Sequence, residues 1–108
     1  MILTAANTYG ATTINQGRIV VSGAGSLGTS GTITLNGGPI ADSLLPGTRL
    51  TLDNTTTASS VRLGTRRVDF FGGHLELLGS SGTAVTEALT TDQHLAVTTS
   101  HNVITLDN

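Results

Sequence analysis

GTITLNGG, residues 31–38, decides how the chain is read. A glycine-led polar step is followed by two apolar positions, Ile33 and Leu35, one residue apart, and then by the turn pair Asn36-Gly37. The same design recurs as GTRLTLDN (47–54), with Leu50 and Leu52, and as GGHLELLG (72–79), with Leu75 and Leu77. LTLDN at 50–54 returns as ITLDN at 104–108. Apolar residues spaced two apart define a strand with one buried face. Short strands of one design, punctuated by glycine, suit a structure in which each strand stacks on its equivalent in the next layer. The fold expected is an all-β, parallel β-solenoid of roughly four to five coils, each of ~20–25 residues. Asn36-Gly37 is also a hairpin signal, so an antiparallel β-sandwich is the alternative.

Further outward, strand signals fill the 108 residues. TTIN, RIVVS, VDFF, HLAVT and VITL are short and rich in β-branched residues or leucine. Alternation predicts a core of Ile14, Ile19, Val21, Ile33, Leu35, Leu50, Leu52, Leu75, Leu77, Leu95, Val97, Ile104 and Leu106. The best helical candidate is TAVTEAL (83–89), weakened by its threonine and valine. PIADSLLP, bracketed by Pro39 and Pro46, reads as an excursion, because proline is poorly tolerated in a central strand. The organisation expected is one domain over 1–108, with a repeat at 1–38, a loop excursion at 39–46 and further coils at 47–108.

Composition narrows the function classes. Thr, Ser and Gly supply 43 residues, so polar β-branched side chains are plentiful for an outer sheet face. The five basic residues are all arginine and the net charge is −2, which argues against nucleic acid as a partner. No apolar run reaches the ~20 residues of a membrane-spanning helix, so no membrane insertion is expected. Met1 leads directly into strand-like sequence, so no signal peptide is read. Cysteine is absent, which removes disulfides and thiol chemistry.

LTAANTYGATTINQGRIVVSGAGSLGTSGTITLNGG (3–38) resembles the autotransporter-associated β-strand repeat. The matching positions are Leu3, Asn7, Thr8, Tyr9, Gly10, Thr12, Thr13, Ile14, Asn15, Gly17, Ile19, Leu27, Gly28, Ile33 and Leu35. The chain departs from the family in shortening the turn between the tyrosine and the threonine pair. The resemblance covers about a third of the sequence. It implies a right-handed parallel β-helix (β-solenoid) at the cell surface that serves as a stalk, spacer or adhesive shaft.

Asn7, Asn15, Gly17 and Gly28 stand at turns, where asparagine tolerates left-handed backbone and glycine adopts it without strain. Stacked asparagines at equivalent corners can form amide ladders. Adjacent Phe70 and Phe71 must face opposite sides of one strand, which makes Phe71 a contact candidate. Arg62, Arg66 and Arg67 in RLGTRR form the one basic cluster. They read as a patch for an acidic glycan or a neighbouring subunit or, more plainly, as an exposed loop with partial ion pairing. Ser100 and His101 with Asp92 or Asp107 supply the residue types of a hydrolase triad, but no nucleophile-elbow motif surrounds the serine. His74, His94 and His101 lack zinc-ligand spacing. Asp53 and Asp107 are a calcium candidate only if they stack. No catalytic residue, cofactor site or metal site is therefore assigned, and no enzymatic activity is expected.

The predicted edge strands carry the functional expectation. Neither MILT nor VITLDN shows a capping helix, a charge guard or a proline guard. Ile2, Leu3, Phe71, Ile104 and Leu106 are the stacking candidates, for a homo-oligomer or for neighbouring repeats. The expected role is an extracellular or cell-surface structural shaft or filament element, adhesive or spacing. The alternative is a carbohydrate-binding or carbohydrate-cleaving β-helix, and a glycan is the one further partner considered.

Overall fold

A computed structural model describes residues 1–37, 47–88, 94–95 and 102–107. The strands are β1 (Ile2–Leu3), β2 (Thr12–Ile14), β3 (Gly17–Val21), β4 (Ile33–Asn36), β5 (Thr48–Asp53), β6 (Val68–Phe71), β7 (Gly73–Leu78), β8 (His94–Leu95) and β9 (Val103–Asp107). They form two sheets. The odd-numbered strands make a five-stranded sheet in the order β1-β3-β5-β7-β9, and the even-numbered strands a four-stranded sheet, β2-β4-β6-β8. Every pair of neighbouring strands is parallel.

This arrangement corrects the expected solenoid of four to five like-sized coils. The molecule is a compact body of 37 × 27 × 27 Å built on two parallel sheets. Ile2 pairs with Val20, Ile19 with Leu50, Leu50 with Leu75 and Leu75 with Ile104, so successive equivalents lie 18, 31, 25 and 29 residues apart. No single coil length of ~20–25 residues holds. The short motifs repeat because each sheet needs alternating residues, while the connections between them vary in length. The antiparallel alternative fails on the parallel pairing. Asn36-Gly37 makes no hairpin, since β4 pairs with β2 and β6, not with the strand that follows it. Parallel strands usually need helical crossovers. Among the described residues there is no helix, and each crossover passes through a strand of the opposite sheet.

The alternating residues stack in rows across the sheets. Ile19, Leu50 and Leu75 form one inward row, and Val21, Leu52 and Leu77 a second. Opposite them, Ile14, Leu35 and Phe70 form a third, beside the pair Ile33 and Val68. These residues are buried, except that Ile19 and Leu77 are half-buried against the same cluster. Leu27 and Leu63, which alternation did not pick out, are also fully buried. They belong to a third wall with little regular strand. There Ala6 bridges Ser26 in parallel, and the Leu27 N–H donates to the Arg62 carbonyl at 2.9 Å. The helical candidate at 83–89 is not helical: Thr83 joins an isolated bridge to Ser80, and residues 84–88 run without regular structure. The expected excursion at 39–46, the core position Val97 and residue Leu89 lie outside the described residues, as do Ser100, His101 and Asp92.

Candidate functional site

The layers are held together from within by two arginines. Arg62 and Arg66 are both buried, contrary to the expected exposed loop. Arg62 donates from Nε to Asn54 Oδ1 at 2.8 Å, from Nη1 to the Gly25 carbonyl at 2.9 Å and from Nη2 to the Thr57 carbonyl at 2.7 Å. Arg66 donates to the carbonyls of Gly10 (2.6 Å), Leu27 (2.8 Å), Gly31 (3.0 Å) and Thr32 (3.3 Å), and to Thr12 Oγ1 at 3.4 Å. A guanidinium offers five N–H donors in a rigid plane, which suits it to turn carbonyls that no strand neighbour satisfies. Burial lowers the pKa of both groups. Arg67 instead pairs with Asp69 beside it in sequence.

The third wall ends on Glu87. Its carboxylate accepts the backbone N–H groups of Arg62 at 2.8 Å and of Leu63 at 3.2 Å. It therefore stands where the carbonyls of a further layer would be. Burial raises the Glu87 pKa, opposed by the two N–H bonds and by the Arg62 charge. Nothing in TAVTEAL singles Glu87 out, because a lone glutamate in a polar stretch reads as solvated.

The five-stranded sheet ends differently. In β9 the side chains of Ile104 and Leu106 continue the two inward rows, next to Leu75 and Leu77. Both are exposed, by 51% and 75%. They flank two cavities. One, of about 510 Å3, is lined by Leu77, Val85, Leu106 and the Gly79–Ala84 turn region. The other, of about 90 Å3, is walled mainly by Leu52, Leu63, Leu75 and Ile104, with Glu87 at its rim. An exposed β9 is an edge strand whose inward face has no layer above it among the described residues.

The remaining candidates fall into place around these features. At the opposite edge, Ile2 is exposed and pairs with Val20, while Leu3 packs against the core in the row of Val21. Phe71 is half-buried on the outward side of β6, its neighbour Phe70 inward. Asn7 ties its corner by donating from Nδ2 to the carbonyls of Ala5 (2.7 Å) and Ser26 (3.1 Å). Asn15 and Asn36 stack in adjacent layers, Asn36 Nδ2 donating to Asn15 Oδ1 at 3.1 Å. Gly17 and Gly28 have φ of +88° and +83°. At Gly28 a side chain would also meet the Asn7 carbonyl oxygen at 3.0 Å, so the close approach of two turns requires glycine there.

Among the described residues no group of His, Cys, Asp and Glu is gathered as a metal site. Asp53 and Asp107 do not stack, because Leu78 lies between them in the register. Asp53 accepts instead from the Thr55 N–H and hydroxyl, bonds that lower its pKa. No described helix is long and apolar enough to cross a membrane. Comparison with known proteins found no matching family model, no matching curated relative and no matching solved structure.

Proposed function

We propose that the chain is a structural element of an extended cell-surface assembly, whose five-stranded sheet is continued at β9 by a further parallel strand from a second copy or a neighbouring repeat. Its role is to extend, space or adhere, without catalysis. The observation that carries this reading is the exposure of Ile104 and Leu106, two side chains in register with buried core rows. An apolar edge strand with unpaired backbone groups is a template for strand addition. Contacts of this kind, made between opposite edges of successive copies, do not close, so they lengthen into fibres. The resemblance of residues 3–38 to the autotransporter-associated repeat supports the placement at the cell surface. Sedimentation velocity and negative-stain imaging of the parent chain and of Leu106→Asp test the reading. The parent associates as its concentration rises and the variant does not, because a charge in the new interface would be buried without a partner. A parent that stays monomeric, with β9 amides protected by its own residues, contradicts it.

A further inference from the structure

The outer face of the five-stranded sheet carries a polar cluster that strand addition does not use. Arg18 in β3 and Arg49 in β5 are register partners, and His74 in β7 continues their row. Like charges directly opposite each other on neighbouring strands repel. The Glu76 carboxylate lies between these two, and Asp53, on the same face of β5, also feels the Arg18 charge. Glu76 Oε2 is 3.3 Å from Arg18 Nη2 and accepts the Thr51 hydroxyl at 2.8 Å, while Oε1 is 3.8 Å from Arg49 Nη1. Arg18 Nε donates to Thr51 Oγ1 at 3.0 Å, which fixes the guanidinium against the sheet. Glu76 thus bridges the two guanidiniums, and each guanidinium, with five N–H donors, keeps donors beyond those bonds. Both remain accessible, the Arg18 side chain being 49% and the Arg49 side chain 27% exposed.

His74 sets the floor of the cluster. Its ring is buried, with Nε2 2.9 Å from Thr105 Oγ1 and Nδ1 without a hydrogen-bond partner. Burial, then the Arg49 charge, hold its pKa below the ordinary histidine value. The imidazole is thus neutral at pH 7 and leaves the positive charge to the arginines.

We propose that Arg18 and Arg49 form a binding site for the carboxylate or sulfate groups of an acidic glycan lying across this sheet face. Arg18 and Arg49 stand on neighbouring strands ~4.8 Å apart, so their N–H groups beyond those held by Thr51 and Glu76 can meet two oxyanions borne by one polymer. The exposure of both arginine side chains on a sheet face leaves them open to an extended ligand. The chain's aromatic residues, Tyr9, Phe70 and Phe71, lie outside this sheet, so a neutral sugar or an unpaired base has no stacking platform here. A net negative chain also disfavours a nucleic acid.

The test is a titration of the isotope-labelled intact chain, followed by the Arg Nε–H and His74 ring resonances. The probes are a short oligogalacturonate, a sulfated heparin-derived oligosaccharide and a neutral oligogalactan of the same length. At least one acidic probe shifts the Arg18, Arg49 and His74 signals, with affinity falling as salt rises. Arg49→Gln and Arg18→Gln each weaken that binding by about tenfold or more, whereas Arg67→Gln, on the other sheet, leaves it unchanged. Which acidic probe binds distinguishes a uronate from a sulfated glycan. Absence of binding by both acidic probes overturns the proposal. So does equal binding of the neutral probe, or undiminished binding by a folded Arg49→Gln chain.

Discussion

The wall through Ala6, Ser26 and Leu63 closes on a carboxylate, whereas the sheet through β5 and β7 ends on an apolar strand. At the first, Glu87 takes the N–H groups of Arg62 and Leu63, so the backbone donors are satisfied within the chain. At the second, Ile104 and Leu106 extend two core rows and remain exposed. The same layers thus carry one wall finished by a side chain and one left ready for another strand. A buried polar cap costs desolvation and gives order, while an apolar edge leaves surface whose burial favours addition.

The largest effect tests how the closed side is held. Arg66→Met removes the donor to four carbonyls, that of Leu27 buried and the other three part-buried, so it costs about 3–5 kcal/mol by chemical denaturation. A loss under about 1 kcal/mol would mean that water replaces the guanidinium easily. Next in size is the contrast within one row of the sheet. Leu52→Ala, at a buried position, costs about 2–5 kcal/mol, while Leu106→Ala in the same row changes monomer stability by at most about 0.5 kcal/mol. Equal losses would show that β9 is covered.

How far these features can be read from sequence differs between the two sides. Alternation located the core of β4, β5 and β7, because a parallel strand facing a core needs an apolar side chain at every second residue. It also gave Ile104 and Leu106 as core, and there it was wrong, since both are exposed. It could not foresee their exposure, which depends on what lies above β9. Connection lengths were not legible either, since turns and third-wall segments follow no period. That is why a solenoid of four to five coils was expected and a compact body on two parallel sheets found. Arg62 and Arg66 were misread because arginine is rarely buried without a carboxylate. The available signal was their place in RLGTRR, near glycine-rich turns whose carbonyls need donors. Leu27 escaped because it is a lone apolar residue between serine and glycine, and Leu63 because its only alternating neighbour is Val61, which is itself exposed.

Smaller effects refine the closed side. Glu87→Ala strips two backbone N–H groups of their acceptor and costs about 1–3 kcal/mol. Glu87→Gln keeps an acceptor and removes the titration. Because the folded-state pKa of Glu87 is raised, its contribution favours folding at pH below the ordinary glutamate value and is lost as pH rises through the raised value. The Gln variant therefore loses that part of the pH dependence of stability, which unfolding curves across the acid range measure directly. Smaller still, Asn36→Ala breaks the amide pair with exposed Asn15 and costs about 0.5–1 kcal/mol.

Amide hydrogen exchange along β9, measured as a function of protein concentration, tests the central claim most directly. Alternate N–H groups of this strand point away from β7 and toward any added strand. The account predicts that these amides exchange fast in dilute solution, slow progressively as concentration rises, and stay fast at every concentration in Leu106→Asp. Exchange that is slow in dilute solution, or that never changes with concentration, would contradict it.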